Sequence, residues 1–187
     1  MRSLAALVLA ACAGSSPPPR VEEPKPVVVV ETSEASGIPA GYIDARPIEV
    51  AQLGERGALL LLDETTNMIV PIFIGGTEAS SIELRMTGEA PPRPLTHDLL
   101  DNLVKKLGGS IVKVQIDALR DGIFIGSVFV RASGRVFKVD ARPSDAVALA
   151  IGNRVKIYVA KAVVAEAGIP RDELMRQLAP SGTGPMT

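Results

Sequence analysis

The sequence predicts an α+β fold: one domain with a mixed, largely antiparallel sheet and helices packed on it. Three observations predict it. Apolar runs of strand length recur at short spacing, and Asp121-Gly122 joins two of them as a hairpin turn. Helical spacing appears in separate segments between the strands, without the strict strand–helix alternation of a parallel sheet. Hydrophobic residues make up 47% of the 187 residues while aromatics make up 3%, so Val, Leu, Ile and Ala must build the core.

The elements follow in order. Ile43 to Leu53 alternates around Ile48 and Val50 and reads as a strand. Ala58 to Leu62 is a continuous apolar run, which suits a strand covered on both faces. A turn over Asp63–Asn67 leads into a return strand, Met68–Ile74. Gly75-Gly76 then opens a helix with Thr77 as its cap, an apolar face of Ala79, Ile82 and Met86, and Glu83 and Arg85 turned outward. Pro91-Pro92-Arg93-Pro94 forces an extended approach to a second helix. Thr96 reads as its cap and Leu99, Leu100, Leu103, Val104 and Leu107 as its apolar stripe, with Gly108-Gly109 ending it.

Ile111–Ile116, Ile123–Val130 and Val136–Val139 form an antiparallel meander. Arg142-Pro143 starts a helix through Ala146, Leu149 and Ala150. Val155–Val159 is a last strand, Ala160–Ala167 a helix ending at Gly168, and Asp172–Leu178 a loosely attached final helix.

The flanks read differently. Residues 1–12 are expected to be a lipoprotein-type signal peptide: Arg2 supplies the positive charge, Leu4–Ala11 is a short apolar run, and Leu9-Ala10-Ala11-Cys12 resembles a lipobox. Cys12 is then the lipidated residue, and the chain is expected on the bacterial cell envelope, anchored to the membrane and facing the periplasm or the exterior. The alternative is a cytoplasmic protein whose cysteine is incidental. Palmitate incorporated by the wild type and not by Cys12→Ser decides between them. As the lone cysteine, Cys12 also excludes an intramolecular disulfide and a cysteine metal cluster.

Residues 13–41 read as a Pro-rich flexible linker, in which Val27–Val30 is more readily loose than an added edge strand. The domain is expected over 42–170, and 171–187 as a short helix and a disordered tail. Net charge is −1, so no global field attracts a polyanion, although a local basic patch remains open.

Two segments carry the chemistry. Arg93-Pro94-Leu95-Thr96-His97-Asp98 contains the lone histidine, and Asp140-Ala141-Arg142-Pro143-Ser144-Asp145 echoes it. Each runs through Arg-Pro into a helix whose first turn carries an acid, where unpaired N–H groups and the helix dipole favour negative charge. The two turns are expected to meet in space and form the site.

Taken in order, Pro71-Ile72-Phe73-Ile74-Gly75, Glu78-Ala79, Arg93 to Leu100, Leu107-Gly108 and Asp140 to Ala146 resemble the bifunctional nuclease domain over about residues 43–170. The resemblance implies an α+β fold and, for some members, nuclease activity on both DNA and RNA. A lipobox and tether depart from the family's pattern.

Cleaving a phosphodiester needs an activated water, charge stabilisation and protonation of the leaving oxygen. His97 is the candidate acid or base. Asp98, Glu78, Asp140 and Asp145 are candidate catalytic carboxylates. Asp98, Asp140 and Asp145 are also candidates to hold Mg²⁺ or Mn²⁺. Arg93, Arg142 and Ser144 are candidates for phosphate.

Each has a plainer reading. His97 could be a buried, hydrogen-bonded ring. Asp98 and Asp145 could be helix-start acids, cross-paired as Arg142–Asp98 and Arg93–Asp145, with Glu78 on either arginine. Ser144 reads better as a cap than as a nucleophile. The alternative function is therefore a non-catalytic, envelope-anchored binding or assembly module with a structural Arg/Asp/His cluster. The scarcity of aromatic stacking platforms favours it. A weaker third reading is an anion or nucleotide sensor at Gly75-Gly76. Dimerisation over exposed sheet edges would make a homo-oligomer.

Overall fold

The structure is a computed structural model and describes residues 27–30, 37–53 and 56–178. The expected leader with Cys12, much of the expected linker and the tail beyond Leu178 lie outside the described residues. Among the described residues, no helix is long and apolar enough to cross a membrane.

The described residues form a nine-stranded sheet and five helices. The strands are β1 (Val28–Val30), β2 (Tyr42–Leu53), β3 (Arg56–Asp63), β4 (Met68–Ile74), β5 (Ser110–Arg120), β6 (Ile123–Ala132), β7 (Arg135–Ala141), β8 (Lys156–Ala160) and β9 (Ile169–Pro170). The helices are α1 (Gly76–Thr87), α2 (Thr96–Lys106), α3 (Pro143–Asn153), α4 (Lys161–Ala167) and α5 (Arg171–Leu178). The sheet order is β1-β7-β6-β5-β8-β2-β3-β4-β9. All neighbours are antiparallel except β5 and β8, which are parallel, so the mixed α+β expectation holds.

Sequence explains the layers. The Ala58–Leu62 run is buried on both faces: Leu59 and Leu61 join the main core with Val70, Ile72, Ile82, Val147 and Val159, while Ala58, Leu60 and Leu62 join a second cluster with Ile69 and Leu174 of α5. Helix α5 is thus seated by Leu174, and not merely loosely attached. The β5–β6 turn has Asp121 at φ 51 and Gly122 at φ 76, the doubly left-handed turn that matches strand twist.

Two local expectations are corrected. Val28–Val30 is an edge strand, in register with Val136–Lys138 of β7, because the β7 edge offers unpaired N–H and C=O groups to an extended β-branched run. Arg85 faces inward, as described below.

Helices α1 and α2 both pack on α3, and α3 rests on the sheet. This arrangement brings the starts of all three helices together.

Candidate active site

A cavity of about 360 Å³ lies where α1, α2 and α3 begin, and its lining includes Glu78 and Ser81, Thr96 and His97, and Arg142 and Asp145. Each arrives by a local rule. Arg142 is extended (φ −65, ψ 145) because Pro143 follows, and Pro143 occupies the first helical position, where its missing N–H costs nothing. Pro94 precedes Leu95, the extended cap residue of α2, so His97 falls in the first turn. Gly75 caps α1, and a Cβ there would lie 2.7 Å from Glu78 Oε2, so the glycine leaves room for that carboxylate.

His97 is buried, and both its ring nitrogens are engaged. Nδ1 lies 2.8 Å from Ser81 Oγ and Nε2 lies 3.1 Å from Asp145 Oδ1. A hydrogen on Nε2 satisfies the carboxylate, which leaves Nδ1 to accept from the serine hydroxyl. A hydroxyl can also accept, so the same partners accommodate the imidazolium.

Arg142 joins the two carboxylates. Its Nε and Nη2 donate to Asp145 Oδ2 and Oδ1 at 2.9 and 3.0 Å, and Nη1 pairs with Glu78 Oε1 at 2.9 Å. A guanidinium has five N–H donors. These contacts use three, and one remains on each Nη.

Burial acts to raise the Asp145 pKa, but hydrogen bonds and charge from Arg142 and His97 outweigh it and hold the carboxyl below its ordinary value. The same pairing, with Asp145 first and Glu78 after it, raises the Arg142 pKa further. Neither α1 nor α3 has a side-chain cap, so their first N–H groups add partial positive charge to this end of the cavity.

The structure therefore brings His97, Asp145, Arg142 and Glu78 together, and the two Arg-Pro turns meet through the His97–Asp145 contact. Other expected members stand apart. Asp98 accepts from the Leu95 backbone N–H through Oδ2 (2.9 Å) and from Arg85 Nη2 through Oδ1 (2.7 Å). It closes the start of its own helix, and Leu95 rather than Thr96 is the cap. Arg93 is exposed in the approach to α2 and outside the cavity lining. Asp140 is exposed on β7 opposite Ser127, also outside the lining. Ser144 makes no cap bond; it is buried and lines a neighbouring cavity of about 310 Å³, which shares Glu78 and Arg142. Neither expected cross-pair forms: Arg142 takes Asp145 and Glu78, and Asp98 takes Arg85.

Sequence reasoning missed Ser81 and Arg85. Glu78, Ser81 and Arg85 sit at i, i+3 and i+7 of α1, a polar stripe on one helix face that was the available signal.

Asp98, Asp140 and Asp145, expected to share a divalent cation, do not converge. Among the described residues, no three His, Cys, Asp or Glu side chains form a metal-ligand group. At the cavity the acidic pair is Glu78 and Asp145, and it is already bridged by the Arg142 guanidinium. This donor set does not fit a metal held by three carboxylates.

Comparison with known proteins adds the family. The model of the bifunctional nuclease domain matches residues 59–172, which contain every residue of the cavity. Two uncharacterized proteins of Mycobacterium tuberculosis, MT1877 and Rv1829, are each 43% identical to this chain over 129 residues, covering 69% of this chain and 77% of the relative. The chain belongs to the bifunctional nuclease domain family.

Proposed function

We propose that the cavity at the starts of α1, α2 and α3 carries out nuclease-like phosphodiester hydrolysis. The observation that carries this reading is Arg142: its side chain is 65% exposed and keeps an N–H on each Nη after pairing with Asp145 and Glu78. Two adjacent donors suit the bidentate grip of a phosphate. The uncapped starts of α1 and α3 supply further N–H groups for the same anion.

In this reading Glu78 takes a proton from the attacking water through Oε2, since Oε1 is held by Arg142. Water oxygen bonds to phosphorus as the ester P–O bond breaks. His97 in its imidazolium form gives the leaving oxygen its Nε2 proton, whose hydrogen bond to Asp145 opens for the transfer while Ser81 keeps hold of the ring through Nδ1. No step is assigned to a metal ion.

The test is cleavage of labelled single-stranded DNA and RNA by purified wild type, Glu78→Gln and His97→Gln. Wild type should cut both, and each variant should lose about 10²–10⁴-fold in rate. Rates unchanged in both variants place the activity elsewhere.

One observation favours the alternative, a non-catalytic module with a structural cluster: both His97 nitrogens are already bonded within the protein. That reading expects no cleavage by wild type and a marked fall in melting temperature for His97→Gln.

A further inference from the structure

Beside the cavity of His97 and Asp145 lies the second one, of about 310 Å³, and the two share Glu78 and Arg142. Most of its remaining lining is apolar. Phe73 comes from the end of β4, and Ile123 and Phe124 come from the start of β6. Phe73 and Ile123 are 56% and 69% exposed. The tight turn at Asp121-Gly122 fixes where Ile123 emerges, and Phe124 packs partly against the main core, so this lining is held in place.

We infer that this second cavity seats the base next to the phosphate that Arg142 grips, and that the substrate is therefore a single-stranded nucleic acid. The inference rests on the proposed function and adds to it a base subsite and a choice of strand state.

Three observations select a base. The first is continuity. Arg142 lines both cavities, so a phosphate held by its remaining Nη hydrogens borders the second one. In a nucleotide one sugar joins base to phosphate, so the base beside a gripped phosphate must rest within that short reach.

The second is composition. The chain has four Phe and no Trp, and two of the four Phe line this one cavity. Aromatic rings are scarce in the protein and concentrated where a cation awaits a phosphate. Stacking on such rings tolerates any sequence, because every base has a π-face. Ser144, buried on the same lining and not used as a cap, adds a hydroxyl that can donate to or accept from a ring edge.

The third is size. A cavity of about 310 Å³ is at the small end of ligand pockets and suits one flat ring system. A base inside a duplex must leave its stack and its pair to enter, which costs energy. An unpaired strand enters without that cost.

The test uses the full chain and a labelled oligonucleotide with one phosphodiester, its other linkages being uncharged methylphosphonates. The strand is offered intact, and with an abasic sugar on either side of the phosphodiester in turn. Wild type should lose about 10–100-fold in kcat/KM when one of the two flanking bases is missing, the range expected for one stacked base. It should also cut the same linkage about 10-fold or more slowly in a duplex. Phe124→Leu keeps apolar bulk and removes the π-face, and Phe73→Ser removes an exposed ring. In each variant the ratio of kcat/KM between intact and abasic strands should fall toward one, at a nearly unchanged melting temperature.

A wild type that cuts intact and abasic strands equally overturns the inference and leaves the proposed chemistry standing. So does a duplex cut as fast as the single strand, or a ratio that both variants preserve. A wild type that cuts no strand, or that is matched in rate by Glu78→Gln, removes the proposed function and the base subsite with it.

Discussion

Two guanidinium groups bridge carboxylates at helix starts in this protein, and they do different work. Arg85 links α1 to α2 and α3: it bonds Asp98, Asp101 and the Ala148 carbonyl, and its side chain is 9% exposed. Asn153 completes Asp101, donating at 2.6 Å. Arg142 also joins two carboxylates, but at the mouth of a cavity, largely exposed and with donors to spare. The cleft over the Arg85 network is the larger, about 720 Å³, yet its guanidinium is enclosed and engaged. Cavity size is therefore a poor guide here. A buried cation whose donors are spent is a lock, and an exposed one with donors left over is free to take the phosphate of the proposed function.

The sharpest way to break this comparison is by stability. Arg85→Ala strands two acids and should cost about 3–5 kcal/mol by urea unfolding. Arg142→Ala loses an exposed bridge and should cost about 1 kcal/mol or less. Equal costs would erase the distinction.

A matched pair of glycine substitutions sharpens it. At Gly152 of α3 an added Cβ falls inside contact distance of the Arg85 guanidinium, so Gly152→Ala should destabilise by about 1–3 kcal/mol. At Gly75 the added Cβ meets only the mobile end of Glu78. Gly75→Ala should leave the melting temperature nearly unchanged while slowing cleavage.

The smallest effect is in acid. Asp145 has its pKa depressed in the folded state, so its contribution is fully present above the ordinary aspartate value of about 3.9 and is lost as pH falls through the lower, folded value. Wild type should exceed Asp145→Asn in urea midpoint at neutral pH, and the gap should close below that range. A gap that widens in acid contradicts the assigned pairing.

How much of this was legible in the sequence depends on whether the signal was local. The Ala58–Leu62 run announced a strand covered on both sides, and Arg142-Pro143 announced a helix start, because each is fixed by neighbours in the chain. Which face of α2 turns inward was not legible. Its apolar spacing reads as a core stripe, but of that stripe Val104 alone packs on the core, beside Asp98 and Asp101, which Arg85 holds from 13 and 16 residues earlier. Arg85 itself read as outward for the same reason. That Asp98 lies outside the cavity was not legible, because helix-start acids look alike in sequence whether they cap a helix or face a cavity. The meeting of Asp145 and His97 was legible because both Arg-Pro bends deliver their first turns to one place.

The most direct measurement of the central claim is single-turnover cleavage of a labelled single-stranded oligonucleotide by wild type and Arg142→Ala, each with its melting curve. The account predicts a loss of about 10²–10³-fold in rate at a nearly unchanged melting temperature. Cleavage at the wild-type rate, or a loss that merely follows a collapse in melting temperature, would contradict it.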